Sequence, residues 1–81
     1  MSNYVFTYQV VYNETAISTM EMHNLEITTR KLKTFNTFDM AFRYVECLNH
    51  YTLDDVRWSK IKLFRVVNEP GKRARRYEIE L

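Results

Sequence analysis

Residues 36–51, NTFDMAFRYVECLNHY, show the most regular helical pattern in this chain of 81 residues. Either residue of the Asn36-Thr37 pair can cap the first turn, and Asp39 favours the positive end of the helix dipole. We therefore predict a helix that ends near residues 49–51. Apolar side chains recur along it at three- and four-residue steps and form one stripe for packing on a sheet, namely Phe38, Ala41, Phe42, Val45 and Leu48.

The segment before this helix predicts two strands. In residues 3–12, NYVFTYQVVY, successive side chains alternate strictly between two faces, as in a half-buried strand. The polar stretch at residues 13–15 is expected to form a turn. Residues 19–33 predict a second strand, with a bulge near His23-Asn24 because the apolar positions change parity there.

Two further strands are predicted after the helix, at residues 58–67 and 75–81. The element order is then β-β-α-β-β, two hairpins joined by a helix. We expect an α+β fold, a small antiparallel sheet with one helix packed on one face. The length allows one domain, residues 1–81.

The strand pattern leaves open which face of the sheet the helix covers. Strict alternation places Trp58, Phe64 and Val66 opposite Ile61 and Leu63. Whichever set the helix leaves uncovered supplies scattered exposed apolar side chains, a surface for self-association, or a platform that stacks bases.

The last hairpin has two candidate registers. A loop of odd length around Pro70-Gly71 separates apolar from charged side chains, and Pro-Gly favours a type II turn. It pairs Leu63 with Tyr77, Ile61 with Ile79, Lys62 with Glu78, and Lys60 with Glu80. It also sets Arg65 opposite Arg75, an unfavourable pairing of like charges.

Charge is distributed unevenly along the chain. Residues 1–56 hold four Lys or Arg against seven Asp or Glu, whereas residues 57–81 hold eight against three. The overall charge of +2 therefore conceals a basic C-terminal end. Its basic side chains near the turn are the candidate binding residues: Arg65, Lys72, Arg73, Arg75 and Arg76.

Two interpretations of this basic tip stay open. Its charges can keep an edge strand soluble, or its guanidinium groups can bind phosphates. If the ligand is nucleic acid, RNA is favoured over duplex DNA, because the predicted helix carries only Arg43 as a basic residue. The alternative partner is an acidic protein surface, because the same arginines would bind its carboxylates.

Catalysis finds little support in the residue pattern. Cys47 and His50 lie three residues apart on the helix, but Cys47 is expected to point into the apolar stripe as a packing residue. Two histidines and one cysteine give no spacing typical of a metal site, and a single Gly excludes a glycine-rich phosphate loop. We predict a protein without enzymatic activity, metal or cofactor.

Cysteine content and hydropathy bear on location. A single cysteine cannot form an internal disulfide, which favours a reducing compartment. No apolar run approaches the roughly 20 residues of a membrane span, and the N-terminus lacks the features of a secretion signal. A cytoplasmic protein is expected, with no membrane partner and with self-association as a remedy for its small core.

The whole-chain composition, rich in Tyr, Phe, Asn and Met and poor in Gly and Pro, resembles that of small accessory proteins of tailed bacteriophages. The resemblance implies a protein that binds and blocks a host or defence component in the host cytoplasm. Joined with the basic tip, it implies an RNA-binding inhibitor of a host ribonuclease or toxin. The alternative is an inhibitor that docks its basic end on an acidic surface of a host or defence enzyme.

Overall fold

The computed structural model describes residues 5–20 and 23–81 and confirms the predicted order β-β-α-β-β. The elements are β1 (Val5–Met20), β2 (His23–Phe35), α1 (Phe38–His50), β3 (Val56–Asn68) and β4 (Arg75–Ile79). The strands form one antiparallel sheet in the order β2-β1-β3-β4, with α1 packed on one face. Within the described residues, no helix has the length and apolar character needed to span a membrane.

The boundaries of α1 follow its predicted capping residues. Thr37 is the N-cap, and its hydroxyl accepts a hydrogen bond from the Met40 N–H at 3.3 Å. Asp39 lies in the first turn, where it also pairs with Arg43 at 3.2 Å. The Tyr51 N–H donates to the Cys47 carbonyl and closes the last turn. The predicted start and end of the helix are confirmed.

The first hairpin is longer than predicted. The turn expected at residues 13–15 is wrong, because β1 runs through this stretch to Met20, and Asn13 pairs with both β2 and β3. A strand on each side supplies backbone partners that outweigh the local preference of these polar residues for a turn. The predicted bulge near His23-Asn24 is also wrong. Both residues pair in register with the end of β1, while Glu21 and Met22 lie outside the described residues.

A bulge does occur, between β1 and β3. Val11 pairs with Lys62 and Asn13 with Ser59, so two residues of β3 oppose one of β1. Lys60 takes the positive φ of 51° at this bulge. Because the extra residue reverses the alternation, the predicted orientation of Trp58 is wrong: it packs on the same core as Ile61.

The core lies between α1 and the sheet face that carries Ile61 and Leu63. Its buried members come from β1, α1 and β3: Val10, Tyr12, Ala41, Val45, Leu48 and Leu63. Burial of Val45 is confirmed, but burial of Phe42 is wrong, since that side chain is 37% exposed. Ala41 and Val45 face the sheet directly, which turns Phe42 to the side of the helix, where it stacks on Phe38 at 5.7 Å.

The opposite face of the sheet is left uncovered by α1. Phe64 and Val66 point to this face, as predicted, together with Val11. Val11 and Val66 are nevertheless only 4% and 5% exposed, because neighbouring side chains on the sheet shield them. This face is called the open face below.

Candidate nucleic-acid interface

The tip of the β3–β4 hairpin is built on a tight turn. The Lys72 N–H donates to the Glu69 carbonyl at 3.1 Å, with Pro70 and Gly71 at the two central positions. The φ of Gly71 is 78°, the left-handed value that a type II turn requires at its third residue. The predicted turn chemistry is confirmed.

The hairpin register differs from the predicted one by two residues. Leu63 pairs with Ile79, Arg65 with Tyr77, and Val67 with Arg75. The separation of side chains between two faces is as predicted, but the specific pairs are wrong, including Arg65 opposite Arg75. The reason is a longer loop: β3 stays paired with β1 as far as Asn68, and six residues separate it from β4.

The predicted ion pairs of β3 with β4 are also wrong. Glu78 lies opposite Phe64 instead of Lys62. Among residues 5–20 and 23–81, ion pairs join Lys31 to Glu14, Arg43 to Asp39, and Lys72 to Glu69. Lys60 and Lys62 are in none of these, so their charges stay available on the open face.

A groove of about 240 Å³ lies at the hairpin tip, on the helix side of the sheet. We call it the tip groove. Its lining combines three basic side chains with one tyrosine, one valine and one carboxylate: Val67, Glu69, Lys72, Arg73, Arg75 and Tyr77. Glu69 pairs with Lys72 at 3.5 Å, so Arg73 and Arg75 bring charge that no carboxylate of the groove neutralises.

The five predicted binding residues do not all meet in the tip groove. Lys72, Arg73 and Arg75 line it. Arg65 lies beside it, exposed on the same face and opposite Tyr77. Arg76 points to the open face, where its Cζ atom stacks 4.7 Å above the centre of the Phe64 ring. All five are exposed to solvent.

A second groove, of about 310 Å³, lies beside the C-terminal half of α1 and is lined mainly by aromatic and apolar side chains. Cys47 is among its lining residues and is exposed, so the expectation of a buried packing cysteine is wrong. The helix turns Val45 and Leu48 towards the sheet, which leaves Cys47 on the flank. Across the described part of the chain, no three His, Cys, Asp or Glu side chains cluster in a way that could hold a metal ion.

The sequence prediction missed a further basic cluster on the open face. Arg30, Lys60 and Lys62 surround Asn13 there in a cavity of about 140 Å³. The strand pairing of Asn13 with Arg30 creates this cluster. The prediction of a turn at residues 13–15 excluded that pairing, because it ended the first strand before Asn13.

Compared with known proteins, the chain matches no family model, no curated protein and no solved structure.

Proposed function

We propose that this protein binds single-stranded nucleic acid, with RNA favoured, through the tip groove, and acts by that binding without chemistry of its own. The observation that carries the proposal is the arrangement of Arg73, Arg75 and Lys72 around one groove whose only carboxylate, Glu69, is already paired. Guanidinium groups present donors in a planar fork that suits two phosphate oxygens.

The electrostatics of the tip favour an anionic ligand. Arg75 lies two residues along β4 from Tyr77, the partner of Arg65, so two guanidinium groups share one face near the groove. Their mutual repulsion is relieved when an anion enters between them. A phosphate chain does this repeatedly, which makes a polymer a better ligand than a single ion.

A single strand suits this surface better than a duplex. Arg43, the basic residue of α1, is paired with Asp39, so the helix offers no basic edge for a major groove. Tyr77, 51% exposed, sits in the groove wall, where an unpaired base can stack on its ring. The proposed place of action is the cytoplasm of a host cell, and the proposed role is that of a phage accessory inhibitor of a ribonuclease or toxin.

The test is a titration of fluorescently labelled oligouridine with the double variant Arg73→Ala with Arg75→Ala, read by anisotropy at several salt concentrations. The variant should bind more weakly and show a salt slope smaller by about 1.4, at 0.7 for each lost phosphate contact. Both side chains are exposed, so the melting temperature should stay unchanged.

The matched control is Lys33→Ala with Arg43→Ala, which removes the same charge away from the tip. It should bind as the wild type does. Unchanged affinity in the tip variant would exclude the tip groove as the site. Absence of RNA binding by the wild type would overturn the proposal and favour an acidic protein surface as the partner.

A further inference from the structure

The open face of the sheet carries a second set of basic side chains, spread along its length. Strand register and cavity lining place Arg30, Lys60, Lys62 and Arg76 on this face. The acidic residues that the register places there are Glu26 and Glu78, and Glu80 lines one cavity with Lys62 and Glu78 at the end of β4. We propose that the open face is a nucleic-acid-binding surface in its own right, which holds the phosphates of a single strand by charge.

The densest part of this surface is the cavity around Asn13. Arg30 lies directly opposite Asn13 on β2, and Lys62 lies opposite Val11 on β3. The bulge adds Lys60 to the same cavity, whose lining contains no carboxylate. Three cations and one amide therefore line a cavity of about 140 Å³. The cations repel one another, and a phosphate group bound among them replaces this repulsion with charge-assisted hydrogen bonds.

The spread of the cations indicates an extended ligand. Arg76 lies opposite Val66, six residues along β3 from Lys60. At about 3.3 Å for each residue of a strand, the two ends lie roughly 20 Å apart. A single phosphate cannot reach both ends, whereas a chain of phosphates can follow the strand direction across the face.

The composition of the open face argues against an apolar partner or a second copy of this chain. Val11 and Val66 are already buried, and β1 presents the polar side chains of Thr7, Gln9, Asn13 and Thr15 on this face. Its exposed apolar side chains, Leu32 at 50% and Val5 at 57%, lie apart from each other, on the edge strand β2 and at the start of β1. A symmetric dimer through this face would set the same cations of two copies against each other. Charge complementarity therefore selects a polyanion.

The contacts on this face should be independent of base sequence. Phe64 is half-buried and its ring is covered by the Arg76 guanidinium group, so it offers little surface for a base. Binding would then come mainly from phosphate contacts, with strong salt dependence and little preference among bases.

This inference rests on the proposed function for the nature of the ligand, but it assigns the binding to different residues. Its test is the double variant Arg30→Ala with Lys62→Ala, titrated with oligouridine of about 16 nucleotides, near the upper site size of small single-strand-binding domains. The expected result is a salt slope smaller by about 1.4 than that of the wild type. The variant should lose affinity for oligouridine and for oligoadenosine by the same factor.

Three comparisons separate this inference from the proposed function. If the open-face variant binds as the wild type does while the tip variant Arg73→Ala with Arg75→Ala is weakened, the open face is excluded and the tip stands. The reverse pattern excludes the tip and supports the open face. The control Lys33→Ala with Arg43→Ala should keep wild-type affinity; an equal loss there would mean that net charge alone drives binding and would overturn the inference.

Discussion

The hydroxyl oxygens of Tyr12 on β1 and Tyr44 on α1 lie 2.6 Å apart and share a hydrogen bond between the sheet and the helix. Their rings pack at a centroid distance of 5.9 Å. Tyr12 is 4% exposed, and its burial, reinforced by the hydrogen bond to Tyr44 and by the charges of Tyr44 and Glu14, raises the pKa of its phenol well above the ordinary value of 10. Tyr12 therefore stays protonated in the folded protein at any physiological pH.

This raised pKa predicts a loss of stability in alkali. Above pH 10 the unfolded chain releases the Tyr12 proton while the folded chain keeps it, so the free energy of unfolding falls as pH rises. Tyr12→Phe removes the hydrogen bond, so its free energy of unfolding at pH 7 should be lower than that of the wild type by about 0.5–1.5 kcal/mol. Above pH 10, the free energy of unfolding of this variant should fall less steeply than that of the wild type. Thermal melts at pH 7 to 11 measure both effects. Tyr77→Phe, which leaves the Tyr12–Tyr44 hydrogen bond intact, is the control and should follow the wild-type curve. A decline in Tyr12→Phe as steep as that of the wild type would contradict the assignment.

The core predicts a contrast between two large apolar residues. Leu63 is fully buried between α1 and the sheet, so Leu63→Ala should cost about 2–5 kcal/mol. Phe42 is partly exposed beside Phe38, so Phe42→Ala should cost only about 1–2 kcal/mol. Urea unfolding followed by Trp58 fluorescence gives both values. Equal costs would place Phe42 in the core, contrary to the packing of α1.

Local patterns predicted most of the fold. The cap at Thr37, the acidic Asp39 and the apolar steps to Leu48 are local features, and each had the predicted effect on α1. The face of α1 was harder to predict, because Phe42 belongs to the apolar stripe yet lies at its margin. Which part of a stripe meets a sheet depends on the sheet, and no local pattern encodes that.

The errors in the sheet have a common physical origin. Asn13 favours a turn by its side chain, but strands on both sides hold it in β1. Lys60 has no local sign of a left-handed conformation, yet the pairing of β1 with β3 imposes one. Both outcomes depend on contacts between distant residues.

The sequence predicted which residues carry the positive charge, but it predicted less well which of them share one site. The basic run beside Pro70-Gly71 was visible in the sequence, and the structure brings Lys72, Arg73 and Arg75 to one groove. Arg76 points to the other face, because neighbouring residues of a strand alternate. The open-face cluster was missed because Arg30 and Lys62 belong to strands that meet only through β1.

The bulge at Lys60 predicts an unusual response to substitution. A side chain with a Cβ atom strains the backbone at a φ of 51°, and a β-branched side chain strains it most. Lys60→Gly should therefore melt at the same temperature as the wild type or higher, although glycine normally weakens a strand. Lys60→Val should be destabilised by about 1–2 kcal/mol.

The adjacent exposed residue Ser59 supplies the control for this prediction, because it pairs in register with Asn13 and is not among the described residues with positive φ. Valine is favoured in strands, so Ser59→Val should be neutral or stabilising, and Ser59→Gly should lower the melting temperature. At Lys60 the glycine variant should therefore be more stable than the valine variant, and at Ser59 the order should be the reverse. If Lys60 responded as Ser59 does, the bulge would be absent, Trp58 would point to the open face, and its fluorescence would report a solvent-exposed indole.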